Sequence, residues 1–180
     1  MKIPKTYSIA LLGGSFDPPH IGHLNISKQA LRILPIKKLY WVITKKNPFK
    51  RKPFFSLKKR LQEAKKLVKK NNKIEVLYLD DKIKSSRSID VIKYIYRKKN
   101  LTNLYFIIGS DILYEFHKWK SWKKIVKLTK LIVFSRKGYD KKNKEFIVFK
   151  YLKKNNLTFI RNKPIKISST ILRKKIGRSN

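Results

Sequence analysis

The stretch Ser8-Ile9-Ala10-Leu11-Leu12-Gly13-Gly14-Ser15-Phe16-Asp17-Pro18-Pro19-His20-Ile21-Gly22-His23-Leu24 decides how the rest of this chain is read. Its first five residues form a short, aliphatic run of the kind that makes a buried strand. Gly13 and Gly14 then permit a tight turn and a close approach of backbone to a ligand. Pro18 and Pro19 stop the strand, and Pro19 suits the first turn of the helix that follows. His20 and His23 stand three apart, so a helix places them on one face at its amino-terminal end. A strand, a glycine turn and a helix start bearing two imidazoles make a site for phosphate. The chain has 3 histidines, and two of them fall in this stretch, which argues against incidental placement.

Outward from this point, short apolar runs alternate with helical spacings. Strands are expected at 38–44, 74–79, 104–108, 131–134 and 157–160. Helices are expected over 21–34, 57–71, 111–128 with room for a break, 141–154 and 169–176, and from Ser86 or Ser88 to Lys99. In the helix after Ser56, a candidate cap, Leu57, Leu61, Ala64, Leu67 and Val68 share one face. Uniformly apolar strands separated by helices predict an α/β fold: a parallel sheet with helices on both faces, in a single domain. Ligands of such sheets gather at the carboxyl ends of the strands, near the switch point. The glycine turn belongs there.

A length of 180 residues with 42% hydrophobic residues is enough for a globular core. The absence of cysteine excludes disulfides and thiolate metal sites. No run approaches membrane-spanning length, and the first residues lead into a strand rather than a secretory leader, so a cytoplasmic protein is expected. Charge is less easily read. Lys and Arg number 47 against 10 Asp and Glu, a formal net charge of +37. This excess fits a nucleic-acid-binding protein. It also fits compositional drift toward Lys, Asn, Ile, Tyr and Phe, as in an AT-rich genome. Lysine outnumbers arginine, the better reader of phosphates and bases, and the basic residues are spread along the chain with no nucleic-acid module, which favours drift. Either way the field steers anionic ligands inward and promotes nonspecific binding of polyanions.

A second candidate anion site stands near the other end, Ile167-Ser168-Ser169-Thr170-Ile171-Leu172-Arg173-Lys174. Ser169 is expected to cap a helix whose first amides face an anion. Arg173, four residues on, projects from the same face and can grip phosphate bidentately. Between the two sites, Ile107-Ile108-Gly109-Ser110-Asp111-Ile112-Leu113 ends a strand. Gly109 permits close nucleotide approach there, and Asp111 can accept from ribose hydroxyls. Trp119 offers a flat face to a planar ring, although both Trp119 and Trp122 could equally serve the core.

Residues 13–24 resemble the G-G-x-F-D-P-x-H-x-G-H-L signature of a nucleotidyltransferase superfamily, and residues 167–173 resemble its I-S-[SA]-T-x-x-R signature. Residues 109–113 with Phe116-His117-Lys118-Trp119-Lys120-Ser121-Trp122 resemble a further pattern, that of the bacterial nicotinate mononucleotide adenylyltransferases. So do residues 131–139, with Arg136 before Gly138 and Tyr139. The resemblance implies a Rossmann-like sheet and the reaction of ATP with nicotinate mononucleotide to give deamido-NAD and pyrophosphate. It implies ATP bound by Gly13, Gly14, Ser15, Phe16, His20, His23, Gly109, Asp111, Ser168, Ser169, Thr170 and Arg173. His20, His23 and Arg173 are the implied catalytic groups. Lys50, Ser86, Arg87, Ser88, Trp119 and Arg136 would take the mononucleotide, and Mg2+ would arrive with ATP rather than in a carboxylate cage.

Two loops depart from that family. Asn47-Pro48-Phe49-Lys50 stands where Pro-Pro-His-Lys is usual, and Ser86-Arg87-Ser88 where Ser-Tyr-Thr is usual. Arg87 raises the alternative of a direct pairing with the pyridine carboxylate, against that of a solvated loop arginine. The rivals are a related enzyme such as the pantetheine-phosphate adenylyltransferase, which typically carries Thr-x-Gly-His, and a non-catalytic basic protein of the same fold that binds nucleic acid.

Overall fold

A computed structural model describes residues 7–47, 52–98, 101–136, 147–152, 157–161 and 167–177. The aliphatic run opens strand β1 (Tyr7–Gly14), and helix α1 (Ile21–Ile33) follows the turn. Next come β2 (Lys38–Ile43), α2 (Leu57–Val68), β3 (Ile74–Leu77), the single turn α3 (Asp80–Ile83) and α4 (Ser88–Lys98). The second half contains β4 (Leu101–Gly109), α5 (Ser110–Glu115), a 3₁₀ turn (Phe116–Lys118), α6 (Trp122–Leu128), β5 (Lys130–Phe134), α7 (Ile147–Tyr151), β6 (Leu157–Ile160) and α8 (Ser169–Ile176).

The six strands form one parallel sheet in the order β3-β2-β1-β4-β5-β6. Leu11 of β1 stands beside Tyr40 on one side and Phe106 on the other. Successive side chains of a strand point to opposite faces, and the core divides accordingly. Ile9 and Leu11 pack with Tyr40, Phe106, Ile92 of α4 and Ile125 of α6. Ala10 and Leu12 pack with Trp41, Leu24 and Ala30 of α1, and Ala64 and Val68 of α2. Helices therefore cover both faces, as the strand composition predicts. The chain starts at the centre of the sheet, winds outward to β3, then returns to β4 and winds out the other way. A crevice opens where those directions diverge, beyond the carboxyl ends of β1 and β4.

Two details differ from the sequence expectation, and a break for which it left room is located. The helix expected over 111–128 is divided into α5, the 3₁₀ turn and α6, because Ser121 adopts a left-handed backbone (φ 57°) that no continuous helix accommodates. Pro19 lies outside α1 rather than in its first turn. His20 takes the cap, its extended backbone and side-chain bond to Gly22 fixing the start at Ile21. The turn α3 was not foreseen, since four residues show no period; Lys84 (φ 51°) ends it. Of the helix expected over 141–154, α7 is the part within the described residues.

Candidate active site

At the crevice lies a cleft of about 920 Å³. Gly13, Gly14, Ser15 and Phe16 border it from the end of β1, and His20 and His23 from the start of α1. Gly109, Asp111, Trp119 and Arg136 come from the β4 and β5 side, Ser86, Arg87 and Ser88 from the start of α4, and Ser168, Ser169, Thr170 and Arg173 from α8 and its cap. One cleft thus gathers the sequence-predicted residues. Lys50 is the exception, lying outside the described residues.

The imidazole pair is held by backbone geometry. The Gly22 amide donates to His20 Nδ1 at 3.1 Å, and the His20 amide donates to His23 Nδ1 at 3.2 Å. This reciprocal cap satisfies two of the helix's orphan amides. Because each Nδ1 accepts, each neutral ring carries its proton on Nε2. The ring centroids lie 3.9 Å apart. Burial, and then the neighbouring Arg136 guanidinium, lower the pKa of His20 to about 4 from its ordinary 6.5. His20 is therefore neutral at pH 7. Behind the pair, Phe16 (φ 47°) stacks on Trp41 with centroids 4.9 Å apart and meets the His23 ring at 4.7 Å. Trp41 donates its indole N–H to Ser27 at 2.7 Å, and Ser27 donates to the His23 carbonyl. Gly22 has a steric reason as well: a Cβ there would lie 2.8 Å from the His20 ring.

The carboxyl-terminal helix docks against the same turn. Ser169 Oγ donates to the Pro18 carbonyl at 2.9 Å, and Arg173 donates to the Asp17 carbonyl, with its guanidinium 3.8 Å from the Asp17 carboxylate. Arg173 also donates to Thr170 Oγ1 at 3.1 Å. The cap, however, is Ser168 and not Ser169: Ser168 Oγ accepts from the Ile171 amide, which releases the Ser169 hydroxyl to reach Pro18. Across the cleft, Arg136 donates to Asp111 Oδ2 at 2.7 Å, and its amide donates to Ser110 Oγ. Asp111 Oδ1 is buried without a partner, an acceptor suited to a hydroxyl brought by a ligand. A Cβ at Gly109 would lie 2.3 Å from that oxygen, so a larger residue there would push the carboxylate aside. Trp119 packs on Phe116 and Phe106 while lining the cleft, serving core and site together.

Sequence reasoning missed three charged residues that build the walls. Asp17 accepts from the Phe54 and Phe55 amides at 2.8 and 2.9 Å, tying the glycine turn to the loop before α2. Arg60, 1% exposed, donates to the carbonyls of Ser15, Thr44, Lys45 and Phe55. Burial lowers its pKa, opposed by the charges of Asp17 and Asp80. Asp80, 5% exposed, accepts from Thr44, Lys45 and Ser86. Arg60 had a legible signal, since an arginine sits among Leu57, Leu61 and Ala64 on the apolar face of α2. Among the described residues no three His, Cys, Asp or Glu side chains converge as a metal site, and no helix is long and apolar enough to cross a membrane.

The chain is similar to known proteins over nearly its whole length. A family model described as cytidylyltransferase-like matches residues 11–175. A probable nicotinate-nucleotide adenylyltransferase of Pelagibacter ubique is 46% identical over 170 residues, 94% of each chain. One of the same description from Clostridium acetobutylicum is 35% identical over 93% of this chain and 86% of its own length. Among solved structures, the Plasmodium falciparum nicotinic acid mononucleotide adenylyltransferase complexed with NaAD superposes with a TM-score of 0.75 at 20% identity, covering 93% of this chain and 83% of that one.

Proposed function

The chain belongs to the nicotinate-nucleotide adenylyltransferases of the cytidylyltransferase-like family, and from that premise we propose that it joins the AMP part of ATP to nicotinate mononucleotide, releasing pyrophosphate and forming deamido-NAD. The observation that carries this reading is the docking of Ser169 and Arg173 on the Pro18 and Asp17 carbonyls, which puts both anion sites on one cleft.

The attacking group is the mononucleotide's phosphate, an anion already, so no general base is required. The barrier lies in bringing two phosphates together against their repulsion and in aligning them. His23 and His20 offer Nε2–H donors to the α-phosphate, which stabilise charge without a proton leaving or arriving. Ser169, Thr170 and Arg173 hold the β- and γ-phosphates, and Arg173 follows the departing pyrophosphate. Magnesium enters as part of the ATP complex, as substrate. Asp111 takes a ribose hydroxyl on its unpartnered oxygen, while Trp119 and the 86–88 segment receive the pyridine ring at the far end. The enzyme works on small anionic nucleotides in the cytoplasm.

The test is pyrophosphate release from ATP with nicotinate mononucleotide, and separately with nicotinamide mononucleotide. Turnover with the first is expected; none with either overturns the reading. His23→Ala in the same assay is expected to lower kcat by about a hundredfold or more, the scale of losing one transition-state donor, with a smaller change in KM for ATP. Near-normal turnover in that variant removes His23 from the chemistry.

A further inference from the structure

The buried carboxylate of Asp80 opens α3 and lines the cleft. Its Oδ2 accepts three bonds: Thr44 Oγ1 at 2.9 Å, the Lys45 amide at 2.8 Å and Ser86 Oγ at 2.6 Å. Its Oδ1 is buried with no partner. The carbonyls of the same Thr44 and Lys45 accept from Arg60 at 2.8 and 3.1 Å, and Arg60 reaches the Ser15 carbonyl at 2.7 Å. A continuous chain of bonds therefore runs from Ser15 in the phosphate turn, through Arg60, the end of β2 and Asp80, to Ser86. Placing a carboxylate out of water with one oxygen unsatisfied costs stability. The sequence keeps it where three separate segments meet beside the cleft, so its value lies in position.

We propose that Asp80 is a positioning residue that latches the Ser86–Ser88 loop to the phosphate turn, setting the distance between the pyridine end and the phosphate end of the cleft. This rests on the adenylyltransferase reading, since it presumes that the mononucleotide spans those two ends. Asp80 acts through the loop it holds, its Oδ2 being filled by three protein donors. The bonds that dock α8 on the glycine turn, from Ser169 to Pro18 and from Arg173 to Asp17, do not pass through Asp80. The loop, freed from its anchor, samples positions that no longer fit the pyridine ring, and substrate binding must then restore its order.

The experiment measures KM for each substrate separately, with melting temperature as the fold control, in Asp80→Ala, Ser86→Ala and the double variant. Asp80→Ala is expected to raise KM for nicotinate mononucleotide about tenfold, as for loss of a charge-assisted anchor, with KM for ATP changed by less than about twofold. The double variant is expected to match Asp80→Ala alone, because both changes cut one latch. If Asp80→Ala does not fold, Asp80→Asn, which keeps the volume but weakens the acceptor, takes its place with the same expected split. Equal rises in both KM values, additive effects of the two changes, or an unchanged KM for the mononucleotide overturn the proposal. Parent protein inactive with nicotinate mononucleotide would instead overturn the adenylyltransferase reading, so the two failures are distinguishable.

Discussion

His20 commits its Nδ1 lone pair to the Gly22 amide and sits in a buried pocket beside Arg136, so protonation must break a bond and place two cations together. The consequence for stability has a definite sign. The unfolded chain takes up a proton near the ordinary 6.5, while the folded state resists until about 4. Between those values the unfolded state binds more protons, and the folded state loses ground as pH falls. His20's contribution is thus complete above about 6.5 and is lost progressively down to about 4. Urea melts across that window are expected to show a shallower pH dependence for His20→Gln than for the parent; parallel curves would mean that His20 titrates normally. The motif's spacing was readable at this scale, because His-x-Gly-His has a helical period and a glycine with a steric purpose. The buried charges were not. Nothing in the sequence around Asp80 distinguishes it from a solvent-facing acid, and its three partners come from segments up to 36 residues away.

Among the elements, α8 is the most loosely invested. It contributes no fully buried residue among those described, and its place depends on the Ser169 and Arg173 bonds to the glycine turn. Its start depends in turn on the Ser168 hydroxyl accepting from Ile171 at 3.2 Å. Ser168→Ala is expected to cost about 1 kcal/mol, roughly a fivefold shift toward the undocked helix. Since so little core is attached, KM for ATP should rise several-fold while the global melting temperature scarcely moves. A variant that melts early yet binds ATP normally would contradict that placement. The sequence announced this element and its arginine but misplaced the cap by one residue. Two consecutive serines satisfy the same capping rule, and only the reach to Pro18 decides which one turns away.

At the scale of the whole molecule, apolar strands and intervening helices were sufficient to foresee a parallel sheet clothed on both faces. Its order and the crevice at the switch point follow from the outward and return winding of the chain. A break within 111–128 was allowed for, but its place at Ser121 was not legible, because a left-handed serine leaves no mark on hydrophobic spacing. Net charge acts here too. With +37 spread over the surface, long-range attraction raises the local concentration of ATP, and added salt screens it. Raising ionic strength from about 0.05 to about 0.2 M is expected to increase KM for ATP several-fold with kcat nearly constant. A flat response would show that the excess lysine plays no part in nucleotide capture.

The contacts that close the phosphate clamp join residues 151 and 156 positions apart in the chain. Synthesis delivers the histidine pair long before Ser169 and Arg173, so a nascent chain holds one half of the triphosphate grip without the other until α8 has been made. Copies that lack α8 therefore have little power to sequester ATP.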